Sequence, residues 1–278
     1  MFCCLPASAQ QPPVSPGEIA EYRANAEKGN GGAQFLLGTM YAEGRGVPKD
    51  DAEAVKWIRK AAEQGVAGAQ FALGLMYGTG QGVPADVEEE VKWYRKASEQ
   101  GVVAAQFLLG KAYADGRGVP KDEAEAVKWF RKGADQGHAG AQFLLASLYG
   151  QGRGVPKDEA EAAKWFRRSA EQGVVGAQFL LGKAYAEGRG VSKDGGEALK
   201  WIRMSAEQGY AEAQNDLGLI HAEGRGIRKD AVEAYKWWWL ASVHGNETAK
   251  KNIAILQSTL PPEMQEEGER MAREFKPR

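Results

Sequence analysis

Apolar and polar positions alternate along this chain with a helical period. In "DDAEAVKWIRKAAEQG", from Asp50 to Gly65, residues Ala54, Trp57, Ile58, Ala61 and Ala62 fall at i, i+3, i+4, i+7 and i+8. That spacing makes one apolar stripe on a helix whose other positions are charged. Upstream, "GGAQFLLGTMYAEG" from Gly31 to Gly44 predicts a second helix. At 100° per residue, Ala33, Gln34, Leu37, Gly38 and Tyr41 share one side, and Phe35, Thr39, Ala42 and Glu43 lie on the other. The small Ala33 and Gly38 allow a neighbouring helix to come close.

The pair then recurs. Trp57, Trp93, Trp129, Trp165, Trp201 and Trp237 stand 36 residues apart, as do Gln34, Gln70, Gln106, Gln142, Gln178 and Gln214. No insertion or deletion breaks the step over six units. A fixed period of this length is the mark of a solenoid, in which each unit buries its apolar face against its neighbours. The expected fold is therefore all-α: an α-solenoid of six antiparallel helix pairs, helix A followed by helix B.

The segment between the two helices reads "GRGVPKD" at Gly44, Gly116 and Gly152, with near copies at Gly80, Gly188 and Gly224. Glycine and basic residues together suggest a phosphate cradle, yet a dinucleotide fingerprint needs a third glycine after a strand, and a P-loop needs Gly-Lys-Ser/Thr. Neither is present. Gly44 suits a left-handed helix end, Gly46 a sharp turn, Pro48 a break, and Asp50 an N-cap with Glu53 as a capping-box partner. These loops are punctuation. Their arginines (Arg45, Arg117, Arg153, Arg189 and Arg225) have Glu43, Asp115, Glu187 and Glu223 close by in sequence, so they read as solvated charges rather than a basic ridge.

The motif A-x-x-x-L-G-x-x-Y…G-x-G-V…A-x-x-W…A-A-x-x-G, carried by Ala33–Gly65 and its five successors, resembles the bacterial Sel-one-like (Sel1-like) repeats, a subclass of tetratricopeptide-type helical repeats. The likeness covers about Gly31 to Gly245. It implies a right-handed superhelix with helix A lining a concave face, and a role in protein binding or scaffolding. The sixth unit departs from it with Asn215, Asp216 and His221 in place of Phe, Leu and Tyr. A cysteine-rich branch of the family carries a disulfide in each unit, which the body of this chain cannot form.

The organisation expected is a leader remnant or disordered terminus over 1–16 and one solenoid domain over 17–278. Within that domain a half-repeat cap spans 17–30, six repeats span about 31–246, and a C-terminal cap spans 247–278. Ala249–Leu256 resembles a seventh helix A, and a further helix is expected to start near Ser258 or Thr259 with Pro261 and Pro262 in its first turn.

Net charge is −1 with 26% charged residues, so no overall field points to nucleic acid or an anionic surface. No apolar stretch approaches the ~20 residues of a bilayer span. The start, "MFCCLPASAQQPPVSPGE", is uncharged before Glu18 and holds Ala7-Ser8-Ala9, a small-x-small cleavage pattern. Two readings stand: the tail of a leader cut near Ala9, which predicts a periplasmic or secreted protein, or a disordered terminus of a cytoplasmic one. Cleavage would remove both cysteines, Cys3 and Cys4.

Catalytic constellations are weak. His138, His221 and His244 occupy three different unit positions with no i, i+4 pair. No serine has lysine at i+3, and His-Glu-x-x-His and Gly-x-Ser-x-Gly are absent. Six of eight tryptophans hold one core slot; Trp238 and Trp239 are extra, and at least one is expected to face outward. The reading is a monomeric, non-enzymatic scaffold without cofactor or metal. The alternative is a cell-envelope enzyme or ligand-binding protein acting on β-lactams or peptidoglycan, as proposed for some relatives.

A protein or peptide partner is expected on the outward side of helix A. Phe35, Phe71, Phe107, Phe143 and Phe179 would be anchors, or else fill the stack. Thr39, Leu75, Lys111, Ser147, Lys183 and Leu219 would be variable selectors, and Glu43 and Asn215 would add polar character.

Overall fold

Asp50 ends the loop as the sequence predicts: its carboxylate accepts from the backbone N–H groups of Ala52 and Glu53, both at 3.0 Å. The helix it caps is α3 (Asp51–Glu63), and Gly65 follows it at φ +88°. A computed structural model of the chain, describing residues 15–277, repeats this unit throughout. The A helices are α2 (Gly31–Glu43), α4 (Ala67–Thr79), α6 (Val103–Asp115), α8 (Ala139–Gln151), α10 (Val175–Glu187) and α12 (Ala211–Glu223). The B helices are α3, α5 (Val87–Glu99), α7 (Glu123–Asp135), α9 (Glu159–Glu171), α11 (Gly195–Glu207) and α13 (Ala231–Val243). The ends add α1 (Pro16–Glu27), α14 (Glu247–Gln257) and α15 (Pro262–Glu274). The fold is all-α, the α-solenoid repeat that the 36-residue step predicts, with no strand among the described residues. The leader pattern at Ala7–Ala9 lies outside those residues.

Two details differ from expectation. The N3 glutamates of the B helices do not complete a capping box. They turn forward instead: the indole Nε1 of Trp93, Trp165 and Trp201 donates to Glu89, Glu161 and Glu197 at 2.9–3.0 Å. A buried indole N–H needs an acceptor, and a carboxylate four residues back on the same face supplies it. The reciprocal box is closed in α1, between Ser15 and Glu18. The last helix also starts later than expected, at Pro262 with Pro261 as its N-cap, because a proline lacks the N–H that would extend the helix backwards across it.

The chain divides into two compact units at Lys132–Gly133. In the first, Ala54, Val55, Ile58, Leu73 and Trp93 form the core, with Phe35 and Val83 against it. In the second, Ile202, Leu217, Trp237 and Leu240 form one cluster, and Tyr235, Trp238, Ile253 and Leu260 another. There α15 packs onto α13: Trp237 meets Phe275 at 5.3 Å, and Gly268 lies directly over the Tyr235 ring. Neither extra tryptophan forms an exposed patch. Trp238 is buried and donates to the Asn215 carbonyl at 3.1 Å, and Trp239 is half-buried.

Within each unit two devices register one repeat on the next. The first is the buried glutamine at the start of every A helix. Gln70 Nε2 donates to the Ala62 carbonyl at 3.1 Å and its Oε1 accepts from Gln100 at 2.7 Å. In the second unit Gln178 does the same with Ala170 at 3.3 Å and Gln208 at 2.8 Å. Each glutamine thus ties the end of the preceding B helix to the end of its own. The second device is the second loop glycine. Gly118 has φ +68°, and a Cβ there would lie 2.5 Å from the Val87 carbonyl oxygen of the preceding repeat. Gly82 and Gly190 abut Asp51 and Glu159 in the same way.

Candidate functional site

The phenylalanine row belongs largely to the stack. Each ring is half-buried. Phe71, Phe107 and Phe143 lie 5.9, 6.1 and 5.9 Å from Tyr94, Phe130 and Phe166 on the B helix of their own repeat. Phe179 lies 5.3 Å from Tyr210, and Phe35 presses on Gly68 of the next A helix, where a Cβ would sit 3.0 Å from the ring. Rings wedged on two sides keep only an edge for a guest.

The variable position does better. Lys111, Lys183 and Leu219 line clefts, and Leu75 is exposed. Thr39 and Ser147 spend their hydroxyls on backbone carbonyls of their own helix, at 2.7 and 3.0 Å. Glu43 pairs with Arg45 at 3.7 Å. Asn215, expected to give an open polar end, is tied down by Asn252 Nδ2 at 3.2 Å.

What the structure brings together is a cleft at equivalent places in three seams, each between the B helix of one repeat and the A helix of the next. In the first unit it opens between repeats two and three, about 120 Å³, lined by Glu90, Tyr94, Leu108, Lys111, Ala112 and Arg117. In the second unit one lies between repeats four and five, about 70 Å³, with Ala162, Phe166, Leu180, Ala184 and Arg189. Another lies between repeats five and six, about 450 Å³, with Ala198, Ile202, Asp216, Ile220 and Arg225. Corresponding lining residues differ by multiples of 36, so the clefts are a property of the repeat.

Sequence reasoning missed the position after each phenylalanine. Leu108 and Leu180 form the outer wall of their clefts, and Leu36 at the same place in the first repeat is 42% exposed. The signal was an apolar residue off the core stripe of helix A. It also missed Glu90, which stands where the other B helices carry alanine (Ala54, Ala126, Ala162, Ala198 and Ala234). Glu90 is 4% exposed, and Arg117 of the next repeat reaches it at 2.9 Å. Gly78 makes the room, since a Cβ there would lie 2.6 Å from Glu90 Oε1. Burial, and then the Glu90 charge, push the Tyr94 hydroxyl well above its ordinary pKa.

The other loop arginines are held by their own loops: Arg189 pairs with Glu187 at 2.7 Å and Arg225 with Glu223. The histidines have structural surroundings. His138 Nδ1 caps α8 by accepting from Ala141 N–H at 3.1 Å, and His244 meets Gln214 at 3.0 Å. His221 takes a tyrosine slot, and burial holds its pKa below the usual histidine value. Among the described residues no cluster of metal-ligating side chains occurs.

The Sel1 repeat family model matches residues 32–66, 67–102, 103–138, 139–174, 175–210 and 211–242. The chain belongs to the Sel1-repeat family. Two solved structures agree. A protective antigen present in uropathogenic Escherichia coli strains, displaying an SLR fold, is 35% identical with a TM-score of 0.82, over 92% of this chain and 56% of its own. A Sel1 repeat protein from Oxalobacter formigenes is 37% identical with a TM-score of 0.64, over 82% of this chain and 88% of its own. This Sel1-repeat chain therefore spans just over half the length of the E. coli antigen. No curated protein matches it. Sel1-repeat proteins are generally non-enzymatic scaffolds for protein interaction.

Proposed function

We propose that this Sel1-repeat chain is a non-enzymatic scaffold that binds a segment of a partner protein along the helix-A face, at the clefts between repeats. The observation that carries this is the recurrence of the cleft at equivalent positions, each joining an aliphatic or alanine floor to a rim of charged residues. An apolar floor with a polar rim suits side chains of an extended or helical segment. The β-lactam or peptidoglycan enzyme gains nothing from the family match.

Leu108→Asp combined with Leu180→Asp tests the reading. Both side chains line the clefts rather than the fully buried core, so helicity by circular dichroism stays intact while capture of the native partner falls at least tenfold. Val243→Asp with Ile255→Asp, at residues 62% and 70% exposed and away from the clefts, leaves capture unchanged. Equal capture by both variants rejects the cleft reading. Export to the periplasm is a second part of the proposal, supported by Ala7-Ser8-Ala9 in an uncharged stretch. Sequencing the N-terminus of the cellular protein tests it: a start at Gln10 supports export, and an intact Met1 refutes it.

A further inference from the structure

The clefts differ in charge: at the first residue of helix B the one between repeats four and five has Glu159 and the one between repeats five and six has Gly195, while repeat two has Val87 there and draws its carboxylates from Glu90 and Asp115. In repeats one, three and four the first residue of helix B is acidic and holds the lysine two places before it: Lys49–Asp51 at 3.8 Å, Lys121–Glu123 at 3.5 Å and Lys157–Glu159 at 2.7 Å. The same acidic residue faces the loop of the following repeat. Asp51 accepts from Gln81 at 2.9 Å, and Glu159 lines one cleft together with Arg189. In repeat five this residue is Gly195.

Three consequences meet in one place. Lys193 has no ion-pair or hydrogen-bond partner among the described residues. Arg225 has only Glu223 of its own loop and no carboxylate across the seam. The wall of the cleft is also missing a side chain, and this cleft has the largest volume of the three, about 450 Å³. Its lining sets Lys183, Lys193 and Arg225 against one carboxylate, Asp216, which is already bound to Lys183 at 3.4 Å. The cleft between repeats two and three, by contrast, balances Lys111 and Arg117 with Glu90 and Asp115. The floor here is apolar: Leu199, Ile202, Leu219 and Ile220.

We propose that the cleft between repeats five and six holds an acidic, apolar stretch of the partner protein, with a carboxylate on Lys193 and Arg225 and an aliphatic side chain on that floor. The inference rests on the scaffold reading above and adds the chemistry of the partner. A surplus of cations beside an apolar floor, with Lys193 unpartnered and Arg225 paired only to the rim residue Glu223, selects a carboxylate next to an aliphatic residue and rejects a basic segment by like-charge repulsion.

Restoring the repeat's own residue provides the test. In Gly195→Glu no heavy atom lies within 4 Å of the new Cβ, and glutamate is the natural residue at Glu123 and Glu159, so the fold is retained. A dodecapeptide display library is selected on the full-length protein, and the recovered peptides are measured by fluorescence anisotropy on wild type, Gly195→Glu and Lys193→Ala. The expected peptides are enriched in Asp or Glu beside Leu, Ile or Val. Their binding weakens at least tenfold in both variants and with added salt. A selection that yields no binders, binders without acidic bias, or affinities unchanged by Gly195→Glu overturns the inference. Binders lost in Leu108→Asp with Leu180→Asp but untouched by Gly195→Glu overturn it while leaving the scaffold reading standing. Loss of neither kind removes both.

Discussion

Gly118 and Gly226 occupy the same place in the repeat, with φ of +68° and +74°. Their surroundings differ. A Cβ at Gly118 would lie 2.5 Å from the Val87 carbonyl oxygen and 2.9 Å from Val87 Cγ1, whereas at Gly226 nothing lies within 4 Å. The alanine variants therefore separate two costs. Both carry the left-handed backbone penalty, about 1–2 kcal/mol, reduced by the smaller conformational entropy of the unfolded alanine chain, about 0.4–1 kcal/mol. Only Gly118→Ala must also push a neighbouring repeat outward by close to an ångström. An overpacking term of about 1–3 kcal/mol follows, and a backbone carbonyl cannot rotate away as a side chain can. Gly226→Ala should lose about 1 kcal/mol and Gly118→Ala about 2–4 kcal/mol. At about 2–4 °C per kcal/mol for a chain of this size, the melting temperature should fall by about 3 °C and about 10 °C respectively, followed by circular dichroism at 222 nm. Equal falls for the two variants would refute the claim that this glycine is where successive repeats touch.

Three other perturbations probe the polar contacts between repeats. Gln178→Leu removes the acceptor of Gln208 and the donor to Ala170 in a site 1% exposed, and should cost about 1–3 kcal/mol in denaturant unfolding. Arg117→Ala leaves the Glu90 carboxylate buried without its cation and should destabilise by about 3–5 kcal/mol, whereas Glu90→Ala restores the array's residue and leaves Arg117 in solvent, so it should cost far less; the reverse order in chemical denaturation would contradict the assignment. Burial, against the opposing pull of the Glu233 charge, holds the native His221 pKa below 6.5, so the unfolded chain takes up the proton first and stability is lost as pH falls below 6.5 towards the native value. His221→Tyr, which restores the residue that in another repeat accepts from arginine (Arg95 to Tyr113, 2.5 Å), should lessen the drop in melting temperature between pH 7 and pH 5.

The helices were legible because their signals are local and repeated. Asp caps, left-handed glycines and the Trp stripe each act within one hairpin, and six copies separate signal from accident. The ladder of Gln70 and Gln178 was visible as an invariant polar residue on a core face, although its two partners lie in two different B helices and could not be named from spacing. Site residues were harder. On a helical wheel Phe107 and Lys111 share the outward side, yet the close approach of α7 takes the phenylalanine ring and leaves the lysine at the cleft. Which face of an A helix stays open depends on how neighbouring repeats stack, and that is set by non-local contacts such as Gly118 on Val87. Glu90 and Gly195 were readable as breaks in the period. Their meaning came only from what stands opposite them, Arg117 in one case and a vacant wall in the other.

The central claim is that the partner lies against the helix-A side of the clefts. A photo-crosslinking phenylalanine analogue placed singly at Leu75, Lys111, Lys183 and Leu219, and for comparison at Lys96, Lys132 and Arg168 over the B-helix tryptophans, tests it in the native host. The account predicts that one protein is captured from the first set and not from the second. Capture of that protein only from the B-helix positions would contradict it.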